Sequence, residues 1–263
     1  MKGMTGIVYS SLAFSFVIRV LADIKRSSKE SVSLKSDRTI DGMPLLGTAL
    51  LTVGWVAYGR DPLLATGLCV RRLAACPWWH MCALCVTGFA MSRLVQAYLF
   101  RSTVRALVES GAINPGGAYL ALANSSPASV ALVGAAMTFS QTFVEEFAFR
   151  GLALPGAAAM VENLGAPPEC ALVAGVALSS LAFGLLHFVP MKVATRGKSA
   201  LLSWYALVVP SSLAVGFCVL NQMAGSLWPG WLVHWWMNYA GLVWSKAERR
   251  WERAIAAPGR SEA

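Results

Sequence analysis

Apolar residues dominate this chain and occur in long runs that polar residues separate. The runs lie at residues 4–22, 43–58, 62–70, 73–91, 119–156, 170–187, 200–220 and 228–244. A helix needs about 20 mainly apolar residues to cross the hydrocarbon core of a bilayer. Because hydrocarbon obliges each backbone group to bond within its own segment, the pattern predicts an all-α fold, a polytopic transmembrane helical bundle of roughly seven or eight spans.

The run at residues 119–156 is too long for one span, and Pro127 follows the polar residues Asn124, Ser125 and Ser126. Proline cannot continue a helix that precedes it, so we expect a break here. Residues 92–111 carry arginines among leucine, valine and phenylalanine. That mixture predicts an amphipathic helix lying at the membrane interface.

Composition agrees with a membrane protein. Hydrophobic residues make up 56% of the 263 residues and charged residues only 13%, whereas soluble domains have about 25% charged residues. The formal net charge is +9, but the basic residues cluster beside the apolar runs, as the positive-inside pattern expects. The charge therefore does not indicate a nucleic-acid partner, and segments 25–38, 192–198 and 246–260 are predicted to face the cytoplasm.

Two glutamates and an arginine interrupt the apolar stretch at residues 128–159. A charged side chain at membrane depth costs at least ~2.5–3.5 kcal/mol, so such residues indicate a functional site. Glu146 and Arg150 are four residues apart and share a helix face, which predicts an ion pair. Glu145 projects roughly 140° away from Arg150 on a regular helix, so it is left free for chemistry.

Two later apolar runs carry polar residues at the same four-residue spacing. Phe183 precedes His187 by one turn, and His234 precedes Asn238 by one turn. Each pair therefore shares a helix face. A histidine and an amide placed in this way can converge on one carbonyl group of a substrate.

These three motifs, in this order on separate apolar runs, resemble the CPBP family of intramembrane proteases. That family includes the type II CAAX prenyl endopeptidases and bacterial relatives once called abortive-infection proteins. The resemblance covers about residues 128–244. It implies an intramembrane endopeptidase in which a glutamate activates the attacking water.

The resemblance also assigns roles to the motif residues. The implied catalytic residues are Glu145, His187, His234 and Asn238, and the supporting residues are Glu146, Arg150 and Phe183. No cofactor is expected. Glu145, His187 and His234 are nevertheless also a ligand set that zinc accepts, although the chain lacks the His-x-x-x-His spacing of zincins.

The organisation expected from the sequence has three parts. Residues 1–115 form a variable N-terminal transmembrane region with a basic loop and the interfacial helix, residues 116–246 form the catalytic core, and residues 247–263 form a basic cytoplasmic tail. The implied substrate is a membrane-tethered or membrane-inserted protein or peptide, processed near its C-terminus and in some relatives lipidated. The short loops favour a bacterial plasma membrane as the location.

Two other classes of function are compatible with the sequence. A non-catalytic membrane scaffold could use the same fold, and a proton-coupled transporter could use Glu145 and the histidines as a relay. A transporter should show a two-fold internal repeat with broken helices, and the sequence shows none.

Cys82 and Cys85, close to His80, have no second ligand pair, so buried free thiols are the expected state of the cysteines.

Overall fold

The computed structural model describes residues 67–68, 72, 74, 76–95, 125–194 and 199–256. Five long helical elements account for most of them: α1 (Trp78–Val95), α2 (Pro127–Asn163), α3 (Pro168–Ala194), α4 (Ala200–Ala224) and α5 (Trp228–Ala256). No strand occurs within these ranges. The predicted all-α fold is confirmed for this part of the chain.

Three of these elements have the length and composition of membrane-spanning helices. They are α2, α4 and the first 22 residues of α3. An integral membrane protein is therefore supported. The apolar runs at residues 4–22 and 43–58 lie outside the described residues, as does most of the predicted interfacial helix at 92–111, so the count of seven or eight spans stays a prediction.

The start of α2 confirms the break expected before Pro127. Ser126 is the N-cap, and its side chain accepts a hydrogen bond from the backbone N–H of Ser129 at 3.1 Å. Pro127 occupies the first turn, where its missing N–H would have no partner in any case. A helix beginning here satisfies its first donors with its own sequence.

The connections after α2 and after α4 use the same kind of turn. Gly165 and Gly225 follow the two helices with φ of 93° and 58°, a region that favours glycine because it has no Cβ. The N–H of each glycine bonds to a carbonyl three residues back, and the next N–H bonds to one five residues back. This Schellman arrangement ends both helices sharply and lets the chain reverse.

Two segments of α2, Val130–Gly134 and Phe147–Ala153, are wider π-helical turns. The second begins directly after Glu146 and contains Arg150. Pro155 has no N–H to donate to the carbonyl of Gly151, which favours a departure from regular α-helical bonding here. The sequence analysis treated this stretch as a regular α-helix, and the wider turn is a feature that the apolar pattern did not reveal.

Small residues let the helices approach closely. A Cβ added to Gly184 of α3 would lie 2.6 Å from the carbonyl oxygen of Leu207 in α4, and one added to Gly175 would lie 2.8 Å from that of Leu154 in α2. Helix contacts inside membranes depend on such close packing, because lipid offers no hydrophobic drive between apolar surfaces. α3 is thereby held against both α2 and α4.

The first turn of α5 is buried inside the protein. Ser226, Leu227, Pro229 and Gly230 are all buried. A buried helix start must satisfy its backbone donors internally. Pro229 has no N–H, and the Trp228 N–H bonds to Ser226 Oγ at 3.2 Å. The Gly230 N–H bonds to Asn221 Oδ1 at 2.7 Å. The Trp231 N–H bonds to the Leu227 carbonyl at 3.1 Å, as in a regular helix.

This buried start explains how His234 can lie deep in the bundle although it follows the start of α5 by only six residues. If segments 192–198 and 246–260 both face the cytoplasm, His187 lies near the cytoplasmic side of the membrane, and the start of α5 lies towards the other side. Because α5 begins inside the protein, His234 still reaches the centre of the helical packing. The three motifs can therefore converge.

The three-part division of the chain stays a prediction. α1, from the N-terminal region, packs against α4 and α5, and Ser92 and Tyr205 share a hydrogen bond of 3.3 Å. α5 continues through residue 246 to Ala256 without a break. The remainder of the 1–115 region and the end of the tail lie outside the described residues.

Candidate active site

A fully buried carboxylate, that of Glu146, lies at the centre of the site. Its Oε1 atom is 3.1 Å from Nη1 of Arg150 and 3.0 Å from Nδ1 of His234. The first contact confirms the ion pair predicted from the four-residue spacing. The second, which joins α2 to α5, was not predicted.

Arg150 is held by rings as well as by charge. Its guanidinium carbon lies 4.4 Å from the ring centre of Phe183, 5.4 Å from that of Phe217 and 5.9 Å from that of Phe149. None of its guanidinium nitrogens has a well-aligned hydrogen-bond partner within the described residues. Cation–π contacts within about 6 Å compensate in part for the missing hydrogen bonds. The charge of Arg150 is therefore stabilised by Glu146 and the aromatic rings together.

Glu145 points to the same region from the neighbouring position of α2. Its Oε1 accepts a hydrogen bond from Nε2 of Gln141 at 3.0 Å. Its Oε2 lies 3.6 Å from Nε2 of His234 and has no hydrogen-bond partner among the residues described. That separation is too long for a hydrogen bond, so Oε2 keeps free lone pairs.

Two aromatic rings contact the ring of His234. Phe217 stacks on one side with a centroid distance of 5.2 Å and an interplanar angle of 19°, and Phe183 meets the ring edge-on at 5.5 Å. Asn238, one turn further along α5, places Nδ2 3.4 Å from Nε2 of His234. The shared face predicted for His234 and Asn238 is therefore observed.

The carboxylate partner determines which ring nitrogen of His234 carries its proton. The Glu146 carboxylate can only accept, so the Nδ1–H of His234 donates to it. Nε2 is then the nitrogen that faces Glu145 and Asn238. In the neutral ring this nitrogen has a lone pair, and only the doubly protonated ring can donate from it.

His187 belongs to the same cluster through Phe183. Its Nδ1–H donates to the carbonyl of Phe183 at 2.9 Å, and the two rings are 4.7 Å apart. The ring of Phe183 also touches His234. Among the described residues, no hydrogen bond or ion pair joins His187 directly to Glu145 or His234, so one aromatic ring separates the two histidines.

A metal site needs several suitable ligands placed close together. Within the described ranges, no three histidine, cysteine, aspartate or glutamate side chains are placed so that they could hold a metal ion. Glu145 and His234 meet, whereas His187 reaches the cluster only through Phe183. Zinc binding by Glu145, His187 and His234 stays a prediction. Cys82 is exposed, and both it and Cys85 are free thiols.

Three residues at or beside the site were missed by the sequence analysis: Gln141, Phe217 and Asn221. Gln141 precedes Glu145 by four residues, a spacing that could have indicated the contact. Phe217 and Asn221 lie on α4, in a run with no motif. Their contacts with α2 and α5 depend on helix packing, so no pattern in the sequence indicates them.

Residues 127–240 match the model of the family described as type II CAAX prenyl endopeptidase Rce1-like. The matched range includes every predicted catalytic and supporting residue. This match agrees with the resemblance to CPBP intramembrane proteases over this part of the chain, which lies in an apolar, helical membrane setting. No curated protein and no solved structure matches the chain.

Proposed function

We propose that this Rce1-like domain is a glutamate-dependent intramembrane endopeptidase that hydrolyses a peptide bond near the end of a membrane-tethered or membrane-inserted protein. One observation carries the proposal: Glu145 Oε2 lies 3.6 Å from His234 Nε2, which lies 3.4 Å from Asn238 Nδ2. Amide hydrolysis needs a base for water and donors for the oxyanion, close together. The family match supports the reaction class.

Glu145 is the proposed base. A water O–H bond breaks, the proton passes to Oε2, and the water oxygen attacks the carbonyl carbon of the substrate. Oε2 suits this role because no described residue occupies its lone pairs. The tetrahedral oxyanion then collapses to a carboxylic acid group as the C–N bond breaks, and the proton that Glu145 gained passes to the departing amine.

Asn238 and His234 are the proposed partners of the oxyanion. The amide of Asn238 can donate from Nδ2 in any state, whereas His234 donates from Nε2 when its ring carries a second proton. Glu146 on the far side of the ring supports that positive charge, since its Oε1 is 3.0 Å from Nδ1. A donor of this kind typically contributes a factor of about 10²–10³ to the rate.

His187 is proposed to assist at the water or at the leaving group. Because its Nδ1–H donates to the Phe183 carbonyl, Nε2 of the neutral ring is free to accept a proton. This nitrogen can orient the attacking water and, once protonated, can give a proton to the amine. Phe183 holds His187 in place and also packs against the ring of His234.

The reaction can be tested with the purified full-length protein in liposomes and a fluorogenic peptide that ends in a farnesylated Cys-aliphatic-aliphatic-Met sequence. We expect cleavage by the parent, loss of cleavage in Glu145→Gln, and full cleavage in Glu162→Gln. Glu162 is exposed near the end of α2, so it provides the same chemical change away from the site. Cleavage by Glu145→Gln at the parental rate would refute the assignment.

The substrate class and the location extend the proposal. We propose a membrane-anchored protein as substrate, with or without a lipid on its C-terminal segment, and the bacterial plasma membrane as the location. Mass spectrometry of C-termini from membranes with and without this protein would identify the substrates. Binding of membrane peptides without any cleavage product would instead favour a non-catalytic scaffold.

A further inference from the structure

Gln141 makes a contact with Glu145 that none of the three motifs includes. It lies one turn before Glu145 on α2 and donates from Nε2 to Oε1 at 3.0 Å. Gln141 is half-buried, and only 12% of the Glu145 side chain is exposed. A hydrogen bond in such surroundings meets little competition from water.

This bond makes the two carboxylate oxygens of Glu145 different. Oε1 is held by Gln141, whereas Oε2 lies beside His234 and has no hydrogen-bond partner in the described part of the chain. Rotation of the carboxylate would exchange the two oxygens, and the Gln141 bond opposes that rotation. We propose that Gln141 is a positioning residue that presents Oε2 of Glu145 as the oxygen that takes the proton from water.

The amide suits this role through the whole reaction. When Glu145 is ionised, both oxygens accept, and Gln141 binds one of them. When the proton has moved from water to Oε2, Oε1 becomes the carbonyl oxygen and still accepts from Gln141. The amide of Gln141 is also neutral, so it adds no charge at membrane depth. A lysine at the same position would instead form an ion pair with Glu145. The bond therefore persists while the proton moves.

The proposal rests on the proposed peptidase function and is tested with two kinds of measurement. Gln141→Leu and Gln141→Met remove the donor and keep a side chain of similar size. Gln222→Leu makes the same change at an exposed position of α4 and serves as the matched control. Activity is measured with the farnesylated peptide per molecule of folded protein, and the Glu145 carboxylate band is measured by infrared difference spectroscopy against Glu145→Gln.

We expect kcat of both Gln141 variants to fall roughly ten- to a hundredfold with little change in KM, since a hydrogen bond to a charged group contributes about that much. The carboxylate band should shift in both variants and stay unchanged in Gln222→Leu.

The outcomes separate the two hypotheses. Parental kcat and an unshifted carboxylate band in Gln141→Leu would overturn the positioning role and leave the proposed peptidase intact. Failure of both Gln141 variants to fold, or a loss of folded protein with unchanged turnover, would make Gln141 a structural residue and would also overturn it. A shifted carboxylate band with no peptidase activity in the parent would refute the proposed function while confirming the Gln141–Glu145 contact.

Discussion

His234 donates from Nδ1 to Oε1 of Glu146 across 3.0 Å, which joins two helices through residues 88 positions apart in the sequence. The same oxygen is the one that Arg150 approaches at 3.1 Å. One carboxylate therefore holds both a cation and the histidine. The consequence is that Nε2 of His234 is turned towards Glu145, so Glu146 orients the ring while Glu145 stays available for chemistry.

Replacement of Arg150 by alanine should destabilise the protein. Glu146 would be left as a buried charge without its cation, and breaking a buried pair in this way typically costs about 3–5 kcal/mol. The measurement is the free energy of unfolding in denaturant, together with the yield of monodisperse protein in detergent. Arg72→Ala, at an exposed position, should change neither quantity.

A double variant checks that the destabilisation comes from the unpaired charge. The double variant Glu146→Gln, Arg150→Met carries neither charge. Its free energy of unfolding should therefore exceed the value obtained by adding the effects of Glu146→Gln and Arg150→Met measured separately. Additive effects, or an Arg150→Ala protein as stable as the parent, would contradict the structural role of the pair.

Replacement of Asn238 by leucine should slow the reaction without unfolding the protein. Loss of one oxyanion donor typically lowers kcat by about 10²–10³. KM should change little, because the donor acts on charge that develops only in the transition state. Asn163→Leu, exposed at the end of α2, is the matched control. A kcat of Asn238→Leu within twofold of the parent would count against a role at the oxyanion.

Replacement of Asn221 by leucine should weaken the start of α5. The buried N–H of Gly230 would lose its acceptor at 2.7 Å, and an unsatisfied buried donor costs about 1–3 kcal/mol. Because His234 follows Gly230 by one turn, turnover per folded molecule should fall as well. Denaturant unfolding and peptidase assays on the same preparation measure both effects, and unchanged values for both would show that this cap is dispensable.

Chelation should leave the proteolysis intact if Glu145 alone activates the water. A metal-bound water would instead make activity vanish with chelator and return with added zinc. Elemental analysis of the active protein distinguishes the two mechanisms by its zinc content. Stoichiometric zinc that is lost in a His187→Ala, His234→Ala double variant would overturn the glutamate-only mechanism.

Several parts of this protein could be predicted from its sequence because they depend on local spacing. Pro127 marked the start of α2, and the four-residue offset of Glu146 and Arg150 indicated their ion pair, which is present at 3.1 Å. The order of the three motifs indicated the family that residues 127–240 match. The four-residue spacing of Gln141 and Glu145 carries the same kind of information.

Other features were decided only by the packing of the helices. The bond between His234 and Glu146, the rings of Phe217 and Phe183 around His234, and the buried start of α5 all depend on how the helices are rotated and offset against one another. Helical periodicity determines which residues share a face of one helix. It does not determine which face of the next helix they meet, because that depends on side-chain packing and on close approaches such as those at Gly184 and Gly175.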